Sequence, residues 1–179
     1  MGIYLGNKKV SMRGIVVDNS KLAQLASGKI TEITAKDLEG ATIIRPYFAT
    51  QLSSLISIEI PNTITRINMS AFSQCFKLES VTIPNSVTDI GMSAFESCEK
   101  LMSITIPSSV TSISSNALRI GSSTNKATIR MLGDKPPTIQ STTIGSNVGK
   151  IIVDPGTLSI WQNATNWSAK ASIMEEEVV

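Results

Sequence analysis

Few residues in this sequence have the types and spacing that chemistry requires. The chain has no histidine, which removes the usual general base, the Ser–His and Cys–His nucleophile pairs and the commonest metal ligand. Acid–base work would fall to a convergent pair of carboxylates. Glu32 and Glu59 are the best placed, so a carboxylate-dependent hydrolase would have to use them; the plainer reading is two solvated charges. Cys75 and Cys98 lie 98 − 75 = 23 residues apart. Two cysteines are too few for a structural zinc site, which leaves a disulfide or a stacked column of buried thiols. Arg66 and Asp89 share that spacing (89 − 66 = 23) and are placed to pair, while Lys77 and Lys100 repeat as like charges that must both face solvent. No glycine-rich phosphate loop or calcium loop occurs. No metal, no cofactor and no enzyme activity are expected.

The shared spacing belongs to the whole middle of the chain. Leu55, Leu78 and Leu101 head three segments of one pattern, at 78 − 55 = 23 and 101 − 78 = 23 residues. In register with them run Ile58/Val81/Ile104, Ile60/Ile83/Ile106, Pro61/Pro84/Pro107, Ile64/Val87/Val110, Ile67/Ile90/Ile113, Ala71/Ala94/Ala117 and Phe72/Phe95/Leu118. Within a repeat, Leu55-x-x-Ile58-x-Ile60 alternates apolar and polar as a strand with one buried face does. Pro61 ends it, because proline has no N–H to give to a central ladder. Ile64 and Ile67 point inward from the return path, and Ala71 and Phe72 fill the back of the coil. One such unit buries too little apolar surface to offset the entropy of ordering it, so the repeats must stack into a solenoid.

The repeat, Leu-x-x-Ile/Val-x-Ile-Pro-x-Ser/Thr-Ile/Val-Thr-x-Ile-x-x-x-Ala-Phe-x-x-Cys, resembles the BspA-like, or Treponema-type, leucine-rich repeats. The match is close over 55–118, with weaker echoes over about 30–155. The resemblance implies a β-rich solenoid of the α+β kind: a right-handed leucine-rich-repeat coil with short parallel strands, an N-terminal β-rich cap and a C-terminal helical cap. Because the family's members are mostly bacterial surface, adhesion and phage-encoded proteins, it also implies non-covalent binding or display.

Three regions follow. Residues 1–29 do not repeat: Ile3-Tyr4-Leu5, Gly6-Asn7 and Lys8-Lys9-Val10 predict a hairpin and Arg13–Val17 a second strand. A short helix is expected over Lys21–Ser27, capped by Asn19 or Ser20 and stopped by Gly28. This region is a cap for the first repeat or a module for attachment and homo-oligomer formation. The opening Ile-Tyr-Leu-Gly-x-Lys-x-Val is similar to those of phage-encoded structural proteins. Residues 30–155 are the solenoid, with 30–54 a degenerate first repeat in which Ile44 matches Ile67. Gly121–Asn125 is a loop, Ala127-Thr128-Ile129 restores the strand with Ile129 at 106 + 23, and Lys135-Pro136-Pro137 breaks the path. Ile151 and Val153 point inward from the last strand. Residues 156–179 read as helical, with Trp161 and Trp167 covering the end of the last coil and Glu175-Glu176-Glu177 a frayed, solvated tail.

Composition narrows the partners. A net charge of +2 with 17% charged residues is too balanced for a nucleic-acid surface, and no apolar run is long enough to enter a membrane. The opening residues place their charges after a very short apolar patch, the reverse of a secretory signal. That order favours a phage tail or virion component, with an extracellular or bacterial cell-surface adhesin as the alternative.

The surface left for binding is the outward side of the strands. Its expected columns are Glu32/Thr34, Ser57/Glu59, Ser80/Thr82, Ser103/Thr105, Lys126/Thr128 and Lys150/Ile152, running from acidic through hydroxyl to basic. They form either a solvated β face or a shallow site for a protein or cell-surface glycan. Scarce aromatics, 4% of the chain, argue against sugar-stacking platforms and a deep hot spot; weak multivalent contact suits the composition.

Overall fold

The computed structural model describes residues 19–178. It begins with α1 (Asn19–Ala26), ended by Gly28 at φ +73°, a left-handed conformation that glycine adopts without strain. The expected hairpin at 3–10 and strand at 13–17 lie outside the described residues. After α1 the chain winds through five coils. The first holds β1 (Glu32–Ile33), a 3-10 helix at Ala35–Leu38 and β2 (Ile43–Ile44). Later coils carry β3 (Ser57–Glu59) with β4 (Arg66–Ile67), and β5 (Ser80–Thr82) with β6 (Asp89–Ile90). Then come β7 (Ser103–Ile106) with β8 (Ser112–Ile113), and β9 (Ala127–Met131) with β10 (Thr138–Ile139). The chain closes with β11 (Val148–Val153), α2 (Leu158–Asn163), a 3-10 helix at Ser168–Ile173 and β12 (Met174–Glu176).

Among the described residues all the strand pairing is parallel. Ser57 lies opposite Ser80 and Ile58 opposite Val81, the predicted 23-residue register. Leu55, Leu78 and Leu101 are each 0% exposed, so the leading leucines share the interior as the repeat requires. Phe72 and Phe95 stack in adjacent coils, ring centroids 5.4 Å apart.

The return path holds more order than the sequence suggests. β2, β4, β6, β8 and β10 form a second, five-stranded parallel sheet. Its strands are two residues long, too short for a visible alternation, yet Ile44, Ile67, Ile90, Ile113 and Ile139 are all buried beneath it. Beside it runs a hydroxyl ladder. Thr65, Thr88 and Thr111 each donate Oγ1–H to the carbonyl of the preceding coil's residue, Thr42, Thr65 and Thr88, at 3.1–3.3 Å.

The remaining side is built from turns. Ser70, Ser93 and Asn116 have φ of 53°, 55° and 59°, and Gln51, Gln74 and Ser97 have φ of 64°, 60° and 61°. A left-handed non-glycine residue costs on the order of 1 kcal/mol. Here it turns an amide out of its own coil and into the next: Ser70 N–H reaches Met92 O at 2.8 Å and Gln74 N–H reaches Glu96 O at 2.7 Å.

Cys75 and Cys98 are free and buried on this side. Their thiols donate to the carbonyls of Ala49 and Phe72, at 3.1 and 3.2 Å, in the coil before each. Burial pushes Cys75 up to about 12 and Cys98 well above its ordinary value. Of the two sequence readings, the column of packed thiols is the one observed.

One seam interrupts the first sheet. The amides at the starts of β3, β5 and β9 donate to the coil before: Ile56 to Thr31 O at 2.7 Å, Glu79 to Ile56 O at 2.8 Å and Thr128 to Met102 O at 2.9 Å. No such bond joins Met102 to Glu79, and β5 and β7 fall in separate sheets. Val81 is correspondingly half-buried where Ile58 and Ile104 are buried. The second sheet and the turn side bridge the same junction without a break.

At the far end the C-terminal segment replaces a further coil with side chains. Trp161 and Trp167 are 0% exposed and meet edge to face at 5.0 Å. Trp161 Nε1–H donates to Gly133 O at 3.2 Å, Trp167 Nε1–H to Pro137 O at 2.9 Å and the Asn166 amide to Ile139 O at 2.8 Å. These donors occupy carbonyls around the edge strand β10 that would otherwise invite another chain. The expected frayed tail is instead β12, paired in parallel with β11. It holds because Glu175 pairs with Lys150 at 2.8 Å, Glu177 pairs with Arg130, and the Glu176 carboxylate accepts from Leu158 N–H at 3.2 Å.

The seam predicts uneven hydrogen exchange: the Met102 amide should exchange at least about tenfold faster than that of Glu79, and equal protection would show the first sheet to be continuous. The thiols predict a second outcome. Native protein should leave a thiol reagent unreacted at pH 8 and react fully in denaturant, because burial withholds the thiolate. The stability tied to these thiols is full below their unfolded pKa of ~8.5 and declines as pH rises toward 12.

Candidate binding face

The outward residues of the first sheet follow the parallel register, which places most of the predicted site residues side by side and moves others. Glu32 is exposed opposite Ser57; Ser57 adjoins Ser80; Glu59 adjoins Thr82. Ser80, Thr82, Ser103 and Thr105 are exposed. Beyond them the spacing changes. Ser103 pairs with Thr128, Ile104 with Ile129 and Thr105 with Arg130, an offset of 25 (128 − 103) rather than 23. The expected column Lys126/Thr128 is therefore corrected to Thr128/Arg130, and Ile129 aligns with Ile104, not Ile106. Lys126 lies before β9, where its ammonium donates to Ser146 O at 2.9 Å. Two additional residues in the Gly121–Asn125 loop cause the shift.

Thr34 also leaves the face. It begins the 3-10 helix that follows β1, with its amide and hydroxyl donating to the Asp37 carboxylate at 2.7 and 2.6 Å. The same carboxylate pairs with Lys21 of α1, so Thr34 and Asp37 anchor the N-terminal helix to the first coil. Burial raises the Asp37 pKa, but the hydrogen bonds from Lys21 and Thr34 outweigh it and hold the carboxyl below its ordinary value.

The two carboxylates considered for catalysis do not form a pair. In the register Glu32 opposes Ser57, so Glu59 lies two positions further along the next strand. Glu59 instead accepts from the Ala35 N–H at 3.3 Å, at the start of the same 3-10 helix.

The expected basic end of the face is neutralised. Arg130 is gripped by both oxygens of Glu177 and Lys150 by Glu175. Hydrogen bonding between them lifts the Arg130 pKa and lowers that of Glu177. Ile152, half-buried, lies between Arg130 and Glu175 in register. The face therefore runs from Glu32 and Glu59 through an uncharged band, Ser57, Ser80, Thr82, Ser103, Thr105 and Thr128, to a salt-bridged border. Away from it, Arg66 and Asp89 pair across the second sheet at 3.5 Å while exposed, which contributes ~0–1 kcal/mol. Among the described residues no group of histidine, cysteine, aspartate and glutamate is placed to hold a metal ion, and no helix is long and apolar enough to cross a membrane.

The family model for the BspA type leucine-rich repeat region matches residues 27–152 in six copies. The chain belongs to that family. Among solved structures, the pneumococcal vaccine antigen PcpA shares this fold with a TM-score of 0.54 and 18% identity, over 84% of this chain and 42% of its own. A leucine-rich repeat protein from Bacteroides ovatus aligns with a TM-score of 0.49 and 23% identity, over 73% of this chain and 35% of its own. The chain thus spans less than half the length of either. No curated protein matches the sequence.

The Asp37 anchor makes a testable link to pH. Its carboxyl is held low, so its stabilisation is fully present above the unfolded pKa of ~3.9 and is lost as pH falls through the lower folded value. Asp37→Asn should loosen α1 at pH 7, read as faster amide exchange over Asn19–Ala26. The difference from the parent protein should shrink steadily below about pH 4. A difference that stays constant to pH 2 would remove the charge from the explanation.

Proposed function

We propose that this chain is a non-catalytic binding and display element of a bacterial surface protein, contacting a protein partner through the outward face of its first sheet. The observation that carries this reading is the uncharged hydroxyl band from Ser57 to Thr128 on parallel strands, exposed at Ser80, Thr82, Ser103 and Thr105, half-buried at Ser57 and Thr128, and bordered by charge at both ends. Hydroxyls about 4.8 Å apart along the stack present donors and acceptors to an extended partner at low desolvation cost. The contacting residues in this reading are Glu32, Ser57, Glu59, Ser80, Thr82, Ser103, Thr105 and Thr128. Membership of the BspA-type repeat family and the fold shared with a pneumococcal vaccine antigen support a place at the cell surface.

The right-handed solenoid of this reading occupies 30–155. Residues 156–179 close its far end, and residues 1–29 either shield the first coil or attach it to a larger assembly. A virion location rests on the opening residues Ile3–Val10, outside the described residues, and the relatives add no support to it.

Charge placed in the middle of the band tests the proposal. Thr82→Arg/Thr105→Arg puts two guanidinium groups on adjacent coils without touching the interior, since both side chains are exposed. Against a panel of immobilised extracellular-matrix and mucosal proteins, the parent chain should bind at least one member, and the double variant at least about tenfold more weakly. Binding that survives the double variant unchanged, or no binding to any member, overturns the strand-face reading.

A further inference from the structure

The coils turn back toward the first sheet at corners whose lengths differ. From Phe95 to Ile104 the corner takes 104 − 95 = 9 residues; the equivalent step from Leu118 to Ile129 takes 129 − 118 = 11; and that from Ile144 to Ile151 takes 151 − 144 = 7. A long corner between two shorter ones leaves a step in the wall of the solenoid. A cavity of about 270 Å³ occupies that step, lined by Ser97 and Glu99 from the first corner, Arg119, Ser122 and Ser123 from the second and Asn147 from the third. It lies on no part of the strand face described above.

The corners around the cavity approach one another closely at two glycines. A Cβ on Gly121, whose φ is +74°, would lie 2.9 Å from the Ala127 Cβ, and one on Gly145 would lie 3.0 Å from the Arg119 Cα. Glycine is therefore the residue that lets the corners close around the space. The second and third corners are tied by Lys126 Nζ to Ser146 O at 2.9 Å and by the Asn147 side-chain amide to Gly121 O at 3.5 Å, which leaves the second amide N–H of Asn147 free to donate; within the long corner the Asn125 N–H donates to the Ser122 hydroxyl at 3.1 Å.

Its chemistry is polar and electrically mixed. The lining contains hydroxyls, an amide, a carboxylate and a guanidinium, and no aromatic or aliphatic side chain. Arg119 is already paired with Glu96 at 2.9 Å, which leaves its other N–H groups to donate. Glu99 is exposed and has no ion pair or hydrogen bond among the described residues, so its oxygens are acceptors without a donor. An anion would meet Glu99 and an Arg119 charge already offset by Glu96; a cation would meet Arg119. A neutral polyol avoids both penalties, because each hydroxyl donates to a carboxylate and accepts from a guanidinium or amide at once. The volume, just below the ~300–1,000 Å³ of most small-molecule sites, suits a single ring rather than an oligomer.

We propose that this corner cavity is a binding subsite for one neutral pyranose unit of a glycan, with Glu99 accepting from adjacent ring hydroxyls and Arg119 and Asn147 completing the contacts. The site stands independently of the strand-face reading.

The full chain, labelled with nitrogen-15, would be titrated separately with the methyl pyranosides of glucose, galactose, mannose and N-acetylglucosamine. At least one should shift the amides of Glu99, Arg119, Ser122, Ser123 and Asn147 saturably. Glu99→Gln should weaken that response at least about tenfold. Ser123→Trp, which fills the space from an exposed position, should abolish it, while the unchanged remainder of the spectrum reports that both variants fold. Thr82→Arg/Thr105→Arg should retain it in full. No shift at these amides with any of the four glycosides, shifts confined to other residues, or an undiminished response in Glu99→Gln and Ser123→Trp would each overturn the proposal.

Discussion

The structure depends on backbone hydrogen bonds between successive coils in a fixed register. A single coil leaves its N–H and C=O groups facing outward on both sides, and each must find a partner in the next turn of chain or in water. The repeat meets this demand with parallel ladders on two sides, one of them broken at the seam between β5 and β7, and with left-handed turns on the third. Its polar side chains serve the same end. Asn68 donates to Ile44 O at 2.8 Å, Ser86 to Ile64 O at 2.6 Å and Ser109 to Val87 O at 2.8 Å, each into the coil before it. The buried thiols do likewise. What reads as a scatter of Ser, Thr, Asn and Cys is one device repeated: a short donor satisfying the carbonyl below it.

That device also explains how the solenoid ends. A stack closed only by apolar side chains would still carry a row of open carbonyls at its last edge. The two tryptophans supply both requirements, since their rings cover the final coil and their indole N–H groups fill carbonyls around β10. β12 then takes the place of a further strand on the first sheet, held by carboxylates matched to Arg130 and Lys150. The acidic tail and the basic border of the face are two halves of one arrangement, so the outer charge visible in the sequence is absorbed within the fold.

The interior was legible in the sequence because burial imposes period and residue type together. Leu55, Ile58, Ile67, Ala71, Phe72 and their equivalents all lie where the pattern puts them, Val81 alone relaxing toward the surface at the seam. The turn side was less legible: Ser70, Gln74 and Ser97 adopt positive φ without the glycine that ordinarily marks it, and only their recurrence every 23 residues is a signal. The second sheet was hidden by the brevity of its strands. Register past Leu118 failed for a third reason. The 23-residue count was carried across a loop with two extra residues, and a shift of two keeps the same face buried, so Ile129 looked correct against either Ile104 or Ile106. The tail misled because Glu175-Glu176-Glu177 has the composition of a solvated end, and its partners Arg130 and Lys150 stand far back in the sequence.

A perfectly regular repeat is a poor device for recognising anything in one place. If every coil presented Ser and Thr at the same points, a partner displaced by one coil, about 4.8 Å, would find the same contacts again, and no single alignment would be favoured. Specificity on such a surface has to come from the departures. Here they are few and local: Glu59 tied to the first coil, the unpaired seam between β5 and β7, the Arg130–Glu177 border, and the corner stretched by Gly121–Asn125. The first and third bound the hydroxyl band and the second divides it, which gives the band a beginning, a middle and an end. The fourth opens a cavity at the one place among the described residues where a long corner sits between two shorter ones. The regular residues thus hold the molecule together, and the irregular ones distinguish one position on it from the next.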